Sequence, residues 1–207
     1  CNLELVFVND GSTDNSLNIF NDFLFNDKVT TVCINRKNRG FLYSLHEGIN
    51  LSTGNLIARI DADDYWSDNH IINIIEKFES DQNFVLVGSQ CEFIDSNSKI
   101  TGKSRLPINH KDIIKYLHKD SPFIHSSVVF KKNAYNSTKG YNIGHIESLQ
   151  HIADYNLWFE LSKLGKCENI HSASVYYRLL NNSMSRSINK KNNYLIRYQL
   201  MSKVNRY

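Results

Sequence analysis

The first half of the chain alternates between two hydrophobic periods. Leu3 to Val8 is a short apolar run interrupted only by Glu4, the pattern of a buried strand. The polar stretch Asn9-Asp10-Gly11-Ser12-Thr13-Asp14 follows and offers N-cap side chains, with Ser12 and Asp14 the best placed for that task. Leu17, Phe20, Phe23 and Leu24 then recur at helical spacing. Val29 to Ile34 predicts a second strand, Asn38-Arg39-Gly40 a turn, and Phe41 to Asn50 a helix ending near Gly48. Asn55 to Ile60 predicts a third strand, Ile71, Ile72, Ile75 and Phe78 a helical stripe, and Phe84 to Val87 a fourth strand. Strands alternating with helices predict an α/β domain with a mostly parallel central sheet flanked by helices. Ligands of such sheets bind beyond the carboxyl ends of strands.

The second half is less regular. Phe93 to Arg105 reads as a hairpin or loop turning at Asp95-Ser96-Asn97-Ser98. His110 to His118 predicts a short helix, Ser126 to Phe130 a strand, and Tyr135 to Gln150 a loop. From Ile152 to Leu164, Tyr155, Trp158, Leu161 and Leu164 keep helical spacing, and Val175 to Leu179 predicts a last strand. The tail places Tyr194, Tyr198 and Met201 on one face, with Arg197, Lys203 and Arg206 elsewhere. It suits a helix packed on the domain or one resting on a membrane surface.

Composition narrows this picture. A chain of 207 residues suits one domain, and its net charge of +3 is too small to argue for nucleic acid. No apolar run approaches the roughly 20 residues that span a bilayer. Cys1, Cys33, Cys91 and Cys167 are scattered, without metal-ligand spacing, which points to a reducing cytoplasm. The chain opens on Cys1, with a buried strand starting at Leu3, and this predicts that a further N-terminal segment belongs to the protein.

The candidate chemistry centres on Asp61-Ala62-Asp63-Asp64, three carboxylates at the end of a predicted strand. Clustered acids repel one another, and a divalent cation relieves the repulsion. If the extended geometry persists, Asp61 and Asp63 lie on one face and converge. Hard cations such as Mg²⁺ take oxygen ligands and share them with substrate phosphates. As a local motif the stretch reads equally as a metal–phosphate site or as a solvated acidic turn. An EF-hand loop fits poorly, because no Gly stands at its sixth position and Ile72 sits where the closing Glu belongs.

Five segments in order carry a resemblance: Val8-Asn9-Asp10-Gly11-Ser12-Thr13-Asp14, Asn38-Arg39-Gly40, Asp61-Ala62-Asp63-Asp64, Ala153-Asp154-Tyr155-Asn156-Leu157-Trp158, and Tyr177-Arg178. Together they resemble family 2 glycosyltransferases over Leu3 to about Ser185. The resemblance implies the GT-A (Rossmann-like) fold with its first strand–helix unit missing. It implies a single domain over 1–207, with a nucleotide-sugar half over about 1–100, an acceptor half over about 101–190 and the basic aromatic tail at 191–207. The activity implied is metal-dependent, inverting, hexosyltransferase-type transfer from a UDP-linked donor to a glycan or lipid-linked acceptor in cell-surface polysaccharide synthesis. The setting implied is the cytoplasm, at the inner face of the membrane.

The implied roles fall residue by residue. Asp10 would accept the N–H of the donor's base, and Asp61 would face the ribose. Asp63, within the Asp-X-Asp (DXD) motif, would hold Mn²⁺ or Mg²⁺, with Asp64 either in support or capping the following segment. Arg59 would approach the nucleotide, although an ordinary surface Arg fits as well. Asp154 would be the general base that takes the acceptor hydroxyl's proton. Arg178 would stabilise the diphosphate, with Arg186 as its alternative. Trp158 reads as core before acceptor pocket, and His125 as either a structural or an acceptor-side His. There are departures. Ala153 stands where many relatives have Glu, Leu180 where they have a phosphate-side His, and His46-Glu47 where they often have Arg-Asn. These departures keep open a second reading, a non-catalytic remnant of the fold acting as a binding or assembly module. A nucleotidyltransferase is disfavoured, because no Gly-rich basic loop follows the first strand.

Overall fold

The computed structural model describes residues 3–24, 30–35, 37–141 and 153–180. Strand β1 (Glu4–Asn9) leads into α1 (Ser16–Leu24), where the Asp14 carboxylate accepts the Ser16 N–H at 3.0 Å and meets an otherwise unpaired helix donor. Phe20 of α1 is buried and stacks on Phe7 at 4.0 Å. Strand β2 (Thr30–Asn35) pairs parallel with β1. Helix α2 (Phe41–Leu51) runs through Gly48 rather than stopping there. A Cβ at Gly48 would come within 3.1 Å of Val8, so a bare backbone lets the helix lie close on β1.

The rest of the chain builds a six-stranded mixed sheet. Its strands are β3 (Leu56–Ala58), β4 (Tyr65–Trp66), β5 (Phe84–Ile94), β6 (Ile100–Lys103), β7 (Val129–Lys131) and β8 (Lys166–Arg178). Their order is β3-β7-β5-β8-β4, with β6 added to β5. The long pairings, β1–β2 and β5–β8, are parallel, and the shorter ones are antiparallel. The α/β expectation therefore holds, with antiparallel strands completing the sheet. Helix α3 (His70–Ser80) covers one face, where Ile74 and Phe78 pack with Phe84, Val87, Val129 and Ile170. Helices α2, α4 (His110–Leu117), α5 (Lys132–Asn136) and α6 (Ala153–Leu164) meet the larger core around Leu86, Phe130 and Trp158.

Several expectations need correcting. On α3 the buried positions are His70, Ile74 and Phe78, while Ile72 is exposed. Strand β8 begins at Lys166, nine residues before the predicted start at Val175. In its polar first half, buried Asn169 donates its amide nitrogen to the carbonyls of Pro107 at 2.7 Å and Pro122 at 2.9 Å. Gly88 of β5 lies against that side chain, and a Cβ there would fall 2.5 Å from Asn169 Oδ1 and 2.7 Å from Phe123. Strand β4 was not foreseen, since two residues are too short to show a period. The tail at 191–207, Arg186 and positions 142–150 of the predicted loop lie outside the described residues. Among the described residues, no helix is long and apolar enough to cross a membrane.

Candidate functional site

Strand β1 ends at Asn9, whose side chain accepts the Ser12 N–H at 2.9 Å and shapes the polar turn. Asp10 follows. Its two carboxylate oxygens accept the backbone N–H groups of Arg39 and Gly40, each at 2.8 Å, just ahead of α2. Gly40 has φ 95°, a left-handed conformation that suits glycine. Asp10 thus pins the end of β1 to the start of α2, while Asp14 takes the capping role at α1 that the sequence suggested for it or Ser12. The Arg39 guanidinium lies 3.6 Å over the Tyr43 ring beside this junction.

The acidic stretch is a turn. Strand β3 stops at Ala58, and the Asp64 N–H reaches back to the Asp61 carbonyl at 3.2 Å. The extended geometry that would have aligned Asp61 with Asp63 does not persist, and the three acids have different surroundings. Asp61 is held by Arg59, whose two terminal nitrogens grip its two carboxylate oxygens. Arg59 is only 6% exposed, which rules out an ordinary surface Arg. Ser126 locks this pair: its hydroxyl accepts the Asp61 N–H at 3.1 Å and donates to Asp61 Oδ2 at 3.1 Å. Charge-assisted, two-pronged bonds of this kind fix orientation strongly. Asp64 is buried, and desolvation pushes its carboxyl above the usual range against the pull of the Arg178 N–H at 2.7 Å. Among the described residues its other oxygen has no hydrogen-bond partner. The Asp63 side chain is exposed.

Arg178 closes the turn from β8. Its Nε donates to the Asp63 carbonyl at 2.9 Å, and its Nη1 donates to the Asp95 carbonyl at 2.9 Å. Both terminal nitrogens also reach the Ser98 hydroxyl at 3.1 Å. The guanidinium expected at the diphosphate is therefore occupied mainly by protein oxygens. Trp66, just past the acids, donates Nε1 to the Ser126 carbonyl at 2.7 Å and packs on His70 with ring centroids 4.9 Å apart.

Asp154 lies half-buried in the first turn of α6, where an acid favours the helix dipole. The Tyr141 phenol relates it to the acid turn. Burial raises the Tyr141 pKa, and the group feels Arg59, then Asp154, and more weakly Asp61. His125 Nε2 bonds the Tyr141 hydroxyl at 2.6 Å, and desolvation together with nearby Arg59 keeps that imidazole neutral. His125 is thus a partnered internal His. Trp158 is fully buried against Phe123, His125 and Phe130, which assigns it to the core. His46 bonds Tyr135 and Asn50, both at 3.0 Å. Ser126, Tyr141, Trp66 and Ser98 were not picked out as site residues. Ser and Tyr at isolated positions carry no spacing signal, and only the neighbouring acceptor-side candidate His125 pointed towards Ser126.

No group of three metal-ligating side chains forms among the described residues. One or two carboxylates, completed by water and substrate phosphates, is however the usual Mg²⁺ arrangement. An exposed Asp63 beside a pre-neutralised Asp61 fits a cation shared with a diphosphate.

A family model described as glycosyl transferase family 2 matches residues 1–138. The chain belongs to that family. An uncharacterized glycosyltransferase of Haemophilus influenzae is 30% identical over 93% of this chain and 61% of its own length. The amylovoran biosynthesis glycosyltransferase AmsE of Erwinia amylovora is 32% identical over 78% of this chain and 59% of its own. The chain thus spans about three fifths of these relatives. Staphylococcus aureus TarS 1–349 in complex with UDP-GlcNAc superposes with a TM-score of 0.70 at 14% identity, over 95% of this chain and 56% of that one. A Pyrobaculum calidifontis mannosyltransferase in complex with GDP-Man and Mn²⁺ gives 0.63 at 14% identity, over 99% of this chain and 55% of that one. At such identity the likeness concerns fold, and the fold of these neighbours is GT-A.

Proposed function

We propose that this family 2 chain transfers a hexose from a UDP-linked donor to a hydroxyl of a glycan or lipid-linked acceptor in cell-surface polysaccharide synthesis. The observation that carries the reading is the locked acid turn: Arg59 and Ser126 hold Asp61, while Asp63 stays exposed. Asp10 and Asp61 serve the base and ribose of the donor, and Asp63 holds Mn²⁺ or Mg²⁺. When bound, the cation neutralises charge on the diphosphate. Asp154 takes the proton of the acceptor hydroxyl, the acceptor oxygen bonds to the anomeric carbon, and the bond from that carbon to the diphosphate breaks. One displacement inverts the anomeric centre. Asp154 and Asp61 both act electrostatically on the Tyr141 phenol, which supports base and donor sharing one site. We place the reaction on the cytoplasmic side, with lipid-linked acceptors reached at the inner membrane face.

The test is Asp154→Asn. Transfer should fall at least a hundredfold while UDP affinity stays within a factor of about two, as loss of a general base requires. A collapse of UDP binding would instead assign Asp154 to the donor. Leu180, which cannot donate to phosphate, favours the second reading, a binding module. UDP binding without turnover on any sugar donor would establish it.

A further inference from the structure

We propose that Arg178 is a positioning residue, and that through it the tip of the β5–β6 hairpin sets the shape of the acid turn. The proposal rests on the donor-site reading above. The hairpin tip is itself rigid: the Asp95 carboxylate accepts the N–H groups of Asn97 at 2.9 Å and Lys99 at 3.0 Å, and Ser98 is held at φ 63°. The Arg178 guanidinium bridges from this tip to the acid turn. One edge meets the Asp95 carbonyl and the Ser98 hydroxyl, and Nε meets the Asp63 carbonyl. The Arg178 backbone N–H holds Asp64 at 2.7 Å. Two of the three acids are thus fixed from one β8 residue, Asp63 through its carbonyl and Asp64 through its carboxylate. Asp63 keeps its side chain exposed while its backbone is restrained, which is what a preorganised cation ligand needs.

This role depends on the planar fork of Arg and not on its charge. Lys offers the same charge from a single point and cannot span both carbonyls. A residue acting on the diphosphate by charge alone would behave in the opposite way.

Two variants separate these roles. Arg178→Lys keeps the charge, and Ser98→Gly removes the hydroxyl without asking a side chain to adopt a positive φ. The first readout is backbone amide exchange over residues 61–66 in the full chain, with β7 as an internal control for global unfolding. Both variants should accelerate exchange in the turn and leave β7 unchanged. The second readout is calorimetric UDP affinity in Mn²⁺. Arg178→Lys should weaken it about tenfold, equivalent to 1.4 kcal/mol. Ser98→Gly should weaken it less, and should add little on top of Arg178→Lys, as coupled sites do. Unaltered exchange in the turn, or wild-type affinity with Lys at this position, overturns the proposal. If the wild-type chain binds no UDP at all, the donor-site reading fails by itself, and the exchange result still decides the positioning role.

Discussion

His70 makes the fold sensitive to mild acid, and the effect can be worked out in advance. Its ring is buried at the start of α3, with Nδ1 2.7 Å from the Ser174 hydroxyl and Nε2 without a partner. Ser174 is the ring's only hydrogen-bond partner among the described residues. Desolvation lowers its pKa from 6.5 to about 4. A depressed His pKa means that the unfolded chain binds the proton first. Stability is therefore complete above the unfolded value and is lost as pH falls through the window between 6.5 and about 4. One pKa unit corresponds to about 1.4 kcal/mol, so the whole window is worth about 3 kcal/mol. Between pH 7 and pH 5 the expected loss is about 2 kcal/mol. Urea denaturation at these two pH values, on the wild type and on His70→Asn, isolates it. Asn does not titrate and can still meet Ser174. Two other His residues, His110 and His125, carry shifts of the same sign and remain in both proteins. The difference between the two pH dependences therefore belongs to His70. If both proteins lose the same stability from pH 7 to pH 5, the reasoning is refuted. The consequence for the site runs through Trp66, which packs on His70 and holds the Ser126 carbonyl.

Further expectations follow from packing and hydrogen bonding. Gly88→Ala forces a methyl into Asn169 and Phe123 and should cost about 2–3 kcal/mol, read as a lowered midpoint in thermal or urea denaturation. Ser126→Ala removes both bonds to Asp61 from a fully buried position and should cost about 1–3 kcal/mol. It should also weaken UDP binding, whereas unchanged affinity would mean that Arg59 alone holds Asp61. Cys91 and Cys167 are fully buried, with thiols pushed up to about 11 and about 12, so a thiol reagent should leave them unlabelled until the chain unfolds.

The strand–helix rhythm was readable wherever side-chain period and burial agreed, as in α6, and in β1 the apolar run marked the strand although its side chains are only partly buried. It failed where tertiary partners override pattern. Strand β8 accommodates polar residues because the Asn169 amide nitrogen donates to neighbouring carbonyls and Ser174 meets a His, contacts that leave no trace in local sequence. Helix α3 contains Ile71, Ile72, Ile74 and Ile75, so its apolar stripe has no unique phase, and burial of His70 settles which face turns inward. Within the site, Asp61, Asp63 and Asp64 stood out because acids at a strand end repel. Their division of labour did not, because it depends on Arg59, Ser126 and Arg178 arriving from segments distant in sequence. Arg59 illustrates the gap. An isolated Arg on a strand reads as surface, and only the nearness of Asp61 and Ser126 makes its burial tolerable.

Calorimetric titration of the chain with UDP, with and without Mn²⁺, on the wild type and on Asp63→Ala, tests the donor site most directly. Binding that requires the metal and disappears in Asp63→Ala is the expected result. Metal-independent UDP binding, or Mn²⁺-dependent binding that survives in Asp63→Ala, would contradict the assignment of the acid turn as the seat of a cation shared with the donor diphosphate.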